Sequence, residues 1–276
     1  MTGMAQTGAR ATQHTFRFGL PPSMGPDAPE RAPQLERFFT RSLGKLVEVN
    51  VAPSYDALGK DVLSGKLDAA WAPPFVCARL EAMGTRVAAR GVRRGSAVYR
   101  GALVCSESRP LALDRLEGAR AAWVDRDSVS GYLLPLALLR TRGLDPGKVF
   151  FSQDFLGSFR AVVEAVLAEK ADVTSVYAAP ASASSDAGAT GLEEILPGKS
   201  ERFRVIAFTD EAPNDGVVCS MSMSPDLMRA MEKVILEMHA TADGAALLRD
   251  VFHAEKFEPA PRLGYRSLYR VALATL

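Results

Sequence analysis

The sequence predicts an α/β protein of two lobes with a cleft between them. Three observations carry that prediction. Two stretches echo each other: Val62-Leu63-Ser64-Gly65-Lys66-Leu67-Asp68-Ala69-Ala70-Trp71 and Val166-Leu167-Ala168-Glu169-Lys170-Ala171-Asp172-Val173-Thr174-Ser175-Val176-Tyr177. Each reads as a helix end, a tight turn through Lys and Asp, and a short buried strand that soon meets proline, at Pro73 and at Pro180. Helix and strand patterns alternate along the chain, which argues for largely parallel sheets. The chain also reads as crossing between lobes twice, near Tyr99 to Gly101 and near Thr209 to Gly216, which makes the second lobe one continuous insertion. Two βαβ-type halves whose strands end toward one crevice are the usual setting for a small-ligand cleft.

The elements follow in order. Phe16 to Leu20 reads as a strand closed by Pro21-Pro22. Leu35, Phe38, Phe39 and Leu43 give helical spacing over Ala32 to Leu43, with Gly44 as the stop. Lys45 to Ala52 is β-branched and apolar enough for a strand. Ser54 caps a helix through Leu63, Gly65 lies just past its end, and Leu67 to Ala72 is a strand. A helix over Phe75 to Met83 and an Arg-rich stretch follow, the latter read as a solvated face. Tyr99 to Cys105 is the strand that leaves the first lobe.

In the second lobe, Ala121 to Val124 is a strand, and the helix after Gly131 is stopped by Gly143. Val149 to Ser152 is a strand, and Ser158 caps a helix from Phe159 to Glu169 whose Val162, Val163, Val166 and Leu167 form its core face. Ala171 to Tyr177 is a strand, and the small, Ser/Ala/Gly-rich run from Ala178 to Gly191 a loop. Arg202 to Thr209 and Val217 to Met221 are strands around a turn at Pro213-Asn214-Asp215-Gly216. Ser224-Pro225 opens a long helix, and the tail from Phe252 onward is mixed. Residues 1–14 read as a disordered N-terminal segment, 15–101 with 211–276 as lobe 1, and 102–210 as lobe 2.

Composition narrows the function. The 276 residues are 47% hydrophobic and 24% charged, as for a packed globular protein. A net charge of +1 gives no drive toward nucleic acid. Cys77, Cys105 and Cys219 are odd in number, without metal-ligand spacing, and His14, His239 and His253 do not join them, so no metal or cofactor is called for. No run is long enough to span a membrane, and Met1 to His14 lacks the apolar stretch of a signal peptide. As written the chain reads as cytoplasmic, and as periplasmic if an export signal has been removed from it.

The stretch with the most specific chemistry is Asp125-Arg126-Asp127-Ser128-Val129-Ser130-Gly131-Tyr132. It follows a buried strand and opens a helix. The unpaired amides and partial positive charge of a helix start bind anions, and Ser128 and Ser130 add hydroxyl donors. Ordinary capping by either serine is the alternative.

Together the pieces resemble the substrate-binding proteins of phosphate, phosphite and phosphonate ABC transporters, from Phe16 to Tyr265. The resemblance is carried by Ser54-Tyr55-Asp56-Ala57-Leu58, Leu67-Asp68-Ala69-Ala70-Trp71-Ala72-Pro73-Pro74-Phe75, Tyr99-Arg100-Gly101, Ser128-Val129-Ser130-Gly131 and Gly157-Ser158-Phe159, in the family's order. It implies the type 2 periplasmic-binding fold: two α/β lobes, two hinge crossings and an interlobe cleft. It also implies a small-molecule ligand and an ABC permease or signalling partner. By position, Ser128, Val129, Ser130 and Gly131 would hold an anionic head group. Tyr55 and Tyr99 would line the first-lobe side, and Trp71, Pro73 and Phe75 would shape the cleft floor, with core packing the alternative for each and an equal one for Trp71 and Phe75.

Departures from the family pattern point to altered specificity. Many members have Gly-Ser-His where this chain has Gly157-Ser158-Phe159, and a strand that should carry a polar or acidic partner ends in Val176-Tyr177. The family's Ser after the hinge tyrosine is Gly101. An unpaired phosphonate oxygen costs about 1–3 kcal/mol. Phe159 and Tyr177 therefore suit a less highly charged, more aromatic or apolar ligand. No catalytic motif is present, so solute binding or sensing is read ahead of catalysis. Two alternatives stay open: a cytoplasmic lyase-like enzyme on the same fold, and an interaction domain with a vestigial cleft.

Overall fold

The structure is a computed structural model that describes residues 15–22, 28–181, 187–266 and 268–269; the segment 1–14 lies outside the described residues. Its first sheet has six strands, β1 (Phe16–Leu20), β2 (Val47–Val51), β3 (Ala69–Ala72), β4 (Arg86–Val92), β10 (Gly216–Cys219) and β11 (Lys256–Pro259), in the order β11-β4-β10-β3-β1-β2. Its second sheet has five, β5 (Val98–Ser106), β6 (Ala119–Trp123), β7 (Phe150–Phe155), β8 (Val173–Ala178) and β9 (Phe203–Pro213), in the order β7-β6-β8-β5-β9. The chain passes from the first sheet to the second after β4 and returns after β9. The echoed strands β3 and β8 accordingly lie in different sheets.

Both sheets are mixed rather than largely parallel. β1 pairs β2 and β3 in parallel, and β6 pairs β7 and β8 in parallel. The strands next to the crossings, β4, β5, β9 and β10, are laid down antiparallel. A chain that crosses to the second sheet and comes back must run its return strand against its outgoing one.

Helices cover both faces of each sheet. In the first, α1 (Ala28–Leu43), α8 (Pro225–Glu237) and α9 (Ala242–Asp250) enclose a core of Phe18, Leu35, Phe39, Met231, Ile235 and Leu248. On its other face, α2 (Tyr55–Leu63) and α3 (Pro74–Ala82) bury Leu58, Val62, Val76 and Leu80. In the second, α6 (Phe159–Leu167) and α7 (Ala187–Ile195) pack Val162, Val166 and Leu192 on one face. The helix α4 (Leu134–Thr141) and the single turn α5 (Pro146–Val149) pack Leu136, Leu139 and Val149 on Trp123 and Leu103 on the other.

Several expectations are corrected. The run read as a loop through Gly191 ends in helix, because α7 begins at Ala187. Its small residues serve close packing: a Cβ on Gly191 would fall 1.9 Å from the Tyr177 carbonyl oxygen, so the helix can lie on β8 there only with glycine. The Arg-rich stretch is the strand β4, buried between β10 and β11. Its arginines Arg86 and Arg90 pair with Glu232 and Glu258, and Arg93 and Arg94, just past its end, pair with Asp215 and Glu194. Alanine and glycine between the arginines hide the apolar alternation that would mark a strand. The mixed tail contains β11, which pairs antiparallel with β4.

The two crossings are tied to each other. Asn214, 2% exposed, donates its backbone N–H to Ala97 O (2.9 Å) and its Nδ2 to Gly91 O (2.9 Å) and Ser96 O (3.0 Å). Its own carbonyl accepts from the Tyr265 hydroxyl at 2.6 Å. One asparagine thus satisfies both connections, as buried polar groups require.

Candidate functional site

Parallel strands bring their C-terminal ends to one edge, and loops at that edge are where open α/β sheets bind ligands. In the second sheet this edge carries Asp125–Gly131 after β6, Gly157–Phe159 after β7 and Tyr177 at the end of β8. In the first it carries Ser54–Tyr55 after β2 and Pro73–Phe75 after β3. The two edges meet. Val129, Leu133 and Leu134 share one buried apolar cluster with Ala72, Phe75 and Val76, and Tyr55, Tyr99 and Tyr132 pack against it.

The helix start at this junction is unusual. Val129–Leu133 is a π-helical turn that runs directly into α4. Its first bond is Leu133 N–H to Ser128 O (3.0 Å), followed by Leu134 N–H to Val129 O. The amides of Val129, Ser130, Gly131 and Tyr132 precede that first bond and are left for other acceptors. Carboxylates flank the turn. Asp125 Oδ1 accepts the Asp127 N–H at 2.8 Å. Burial first, then the Asp125 charge, raises the Asp127 carboxyl above its ordinary range, while Arg79 from the opposite edge opposes the rise.

The sequence-predicted residues divide into three groups. Ser128, Val129, Ser130, Gly131, Tyr55, Tyr99 and Pro73 lie at the two facing edges; Ser130 is 4% exposed and Val129 5%. Burial raises the Tyr99 phenol well above its ordinary range. Phe159 and Tyr177 form a separate pair, edge to face with ring centroids 5.2 Å apart. The Tyr177 hydroxyl donates to Glu194 Oε2 at 3.0 Å.

Trp71 is a correction. It sits on β3 with its ring against Phe252 (5.3 Å) and Phe257 (5.4 Å), inside the core under α8 and α9. Side chains alternate along a strand, so Trp71 faces away from the side on which Ala70 and Ala72 meet Val129. Pro73 and Phe75, past the strand end, stay at the junction.

The structure adds residues that local patterns do not single out. Tyr132 meets Trp123 and Phe155 edge to face while touching the junction cluster. Arg79 on α3 pairs with Asp56 at 3.5 Å, and its charge opposes the rise at the Asp127 carboxyl. Thr209 Oγ1 accepts the Gly101 N–H at 2.8 Å. A Cβ on Gly101 would fall 3.1 Å from Thr209 Cγ2 and 3.2 Å from Ser130 O, so the serine expected there would crowd the turn. A cavity of about 400 Å³ lined by Arg17, Asn50, Pro53, Asp61 and Lys66 draws nothing from the second sheet.

Two α/β lobes, joined by paired crossings and facing each other across loop-bearing strand edges, define a two-lobed periplasmic-binding fold. Solved structures share it. XAC2383 from Xanthomonas citri, bound to ATP, superposes with a TM-score of 0.79 at 18% identity, covering 95% of this chain and 98% of that one. A binding protein component of an ABC phosphonate transporter from Pseudomonas aeruginosa gives 0.73 at 20% identity, covering 95% and 87%. PhnD1 from Prochlorococcus marinus, in complex with methylphosphonate, gives 0.75 at 17%, covering 95% and 99%. Residues 18–263 match the family described as ABC transporter, phosphonate, periplasmic substrate-binding protein, and the chain belongs to that family.

Proteins of this family bind a small-molecule ligand and work with a permease. The family is periplasmic, which agrees with the second of the two locations read from the sequence and gives no support to the cytoplasmic one. Among the described residues no helix is long and apolar enough to cross a membrane.

Proposed function

We propose that this binding protein has a specificity shifted from simple phosphonates toward a molecule with an anionic or polar head and a larger apolar or aromatic portion. The ligand would lie between lobe 1, residues 15–101 and 211–276, and lobe 2, residues 102–210. Its head group would be held by the amides of Val129 to Tyr132 with the Ser128 and Ser130 hydroxyls. Tyr55, Tyr99 and Pro73 would form one wall and Phe159 and Tyr177 the other.

The observation that carries this reading is the Phe159–Tyr177 pair. Phenylalanine has no hydrogen-bond donor, and the single donor of Tyr177 is already engaged by Glu194. A phosphonate oxygen pointing there would lose a hydrogen bond, whereas a flat or apolar surface would gain aromatic contact. Asp125 and Asp127 add to this, because two carboxylates beside the helix start repel a doubly charged head group. The neighbours that hold ATP and methylphosphonate support the idea that one fold accommodates very different remainders behind a phosphorus-containing head.

A ligand that binds the folded protein raises its melting temperature by mass action. The test is a thermal-shift panel followed by calorimetry with phosphate, phosphite, methylphosphonate, 2-aminoethylphosphonate, aromatic carboxylates and adenine nucleotides. The expected result is tighter binding of the aromatic compounds, weakened by about 1 kcal/mol in Ser130→Ala. Phe159→His should improve phosphonate binding relative to the parent. Submicromolar affinity of the parent for a small phosphonate would overturn the specificity shift. The apolar cluster running from Phe75 to Val129 favours one other reading, an interaction domain with a filled cleft; silence across the whole panel would move the assignment there.

A further inference from the structure

We infer that Ser175, acting together with Pro135, is the residue that positions the widened turn at Val129–Leu133. The inference rests on the reading that this turn holds the ligand head group. The turn starts in π register, and that register has a specific cost at Ser130. A carbonyl in a π-helix accepts from the residue five positions on, which for Ser130 is Pro135, a residue with no N–H. The other helical donor within reach, Leu134 N–H, is already bonded to Val129 O. The Ser130 carbonyl is therefore left without a helical partner in a residue that is 4% exposed. A buried orphan carbonyl must find a donor elsewhere.

Ser175 supplies it. Its hydroxyl donates to Ser130 O at 2.6 Å, and the residue is fully buried. It stands on β8, hydrogen-bonded between β5 and β6, so the donor is fixed to the middle of the second sheet rather than to a loop. On the other side Gly101 leaves no slack, since even a Cβ would approach Ser130 O to 3.2 Å. The carbonyl is gripped between two strands.

The consequence lies at the amides. In α register the first intrahelical bond would come from Tyr132 N–H to Ser128 O. In the π register it comes from Leu133 N–H instead. The turn therefore frees the Tyr132 amide in addition to those of Val129, Ser130 and Gly131. Pro135 has no N–H with which to complete the π bond to Ser130 O, and Ser175 satisfies the carbonyl that this leaves over. Ser175 is a positioning residue: it acts on the ligand through the backbone of Ser130.

Amide hydrogen exchange of the full chain, with no ligand added, tests this directly. In the parent, Leu133 and Leu134 should be protected and Val129 to Tyr132 should exchange quickly. Ser175→Ala should speed exchange of Leu133 and Leu134 by about tenfold while leaving β6 and β8 unchanged. Ser175→Thr, which keeps the hydroxyl, should retain protection. Pro135→Ala restores an N–H that lets a helical donor reach Ser130 O. In the double variant, adding Ser175→Ala to Pro135→Ala should then change exchange by no more than about twofold, a non-additivity that a generic packing role does not produce. Unchanged exchange in Ser175→Ala, or fully additive effects, would overturn the inference. Calorimetry with methylphosphonate and adenosine monophosphate forms a separate arm. Failure of both to bind the parent counts against the ligand reading, while the exchange result still decides the role of Ser175.

Discussion

The connection from α2 to β3 in the first lobe and the connection from α6 to β8 in the second fold to the same hydrogen-bond pattern from different residues. Ser54 Oγ accepts the Ala57 N–H at 3.1 Å, and Ser158 Oγ accepts the Ala161 N–H at 3.2 Å. Gly65 N–H reaches Val62 O and Glu169 N–H reaches Val166 O, both at 3.2 Å. Asp68 N–H donates to Arg17 O and its Oδ2 accepts the Arg17 N–H. Asp172 does the same with Arg120. In each lobe one aspartate closes a two-bond ring on the neighbouring strand.

The differences between the two connections are instructive. Each needs a residue with positive φ just past its helix, at +73° in one and +56° in the other. Lobe 1 uses Gly65 there and lobe 2 uses Glu169, an L-residue in a conformation that costs about 1–2 kcal/mol. In lobe 2 an arginine side chain also holds the aspartate. The Arg120 guanidinium grips Asp172 through Nε (2.9 Å) and a terminal nitrogen (2.8 Å), with Arg109 nearby, and holds its carboxyl below the ordinary range. The backbone pattern is the conserved quantity between the halves, and the side chains that secure it are exchangeable.

Four measurements can break or sharpen this comparison. The largest effect is expected from Gly65→Glu, which puts the second lobe's residue into the first. A Cβ at Gly65 would fall 2.7 Å from Ser222 Oγ in addition to the backbone penalty, so urea unfolding should register a loss of about 2 kcal/mol or more. A loss below about 0.5 kcal/mol would mean that the two turns are interchangeable after all.

Asp172→Asn should come next, at about 2 kcal/mol near neutral pH, because it removes a charge-assisted pair. Asp172 has a lowered folded pKa, so its contribution is present above the unfolded value of about 4 and is lost as pH falls through the folded value. The gap between parent and variant should therefore narrow at acid pH; a gap that stays constant down to pH about 2 would assign the loss to packing instead.

Smaller effects are expected from the caps. Ser54→Ala and Ser158→Ala should each cost about 1 kcal/mol, and the two values should agree, since the capping distances do. A twofold disparity in calorimetric stability would show that the lobes differ in how well they tolerate a frayed helix. The smallest effect is a gain. Glu169→Gly relieves the left-handed strain but loosens the unfolded chain, for a net stabilisation of about 0.5–1 kcal/mol by thermal melting. A loss would indicate that the exposed contact of Glu169 with Arg109 outweighs backbone strain.

Much of this was legible in the sequence, because it is local. The serine caps, the turn at Gly65, the core face of α6 and the helix start after β6 are all specified within a few residues by hydrogen-bond and rotamer preferences. The order of stretches from Ser54 to Phe159 was sufficient to place the chain in its family. At the site, the sequence marked the helix start at Ser128–Gly131 and the aromatic character of Phe159 and Tyr177.

What the tertiary structure decided is what depends on partners distant in the chain. The strand β4 is short of apolar alternation, and it exists because β10 and β11 pair with its two edges and Glu232 and Glu258 take up its arginines. The antiparallel direction of β10 is set by its pairing with β3 and β4 once the chain has returned, and no local pattern encodes that pairing. Trp71 reads equally well as cleft or core until the register of β3 turns it toward Phe252 and Phe257. The π start of α4 depends on Pro135, five residues after Ser130, and on Ser175 in another strand. Short-range preferences select elements one at a time, whereas the face a side chain presents and the partner a buried polar group finds are fixed only when the sheets are assembled.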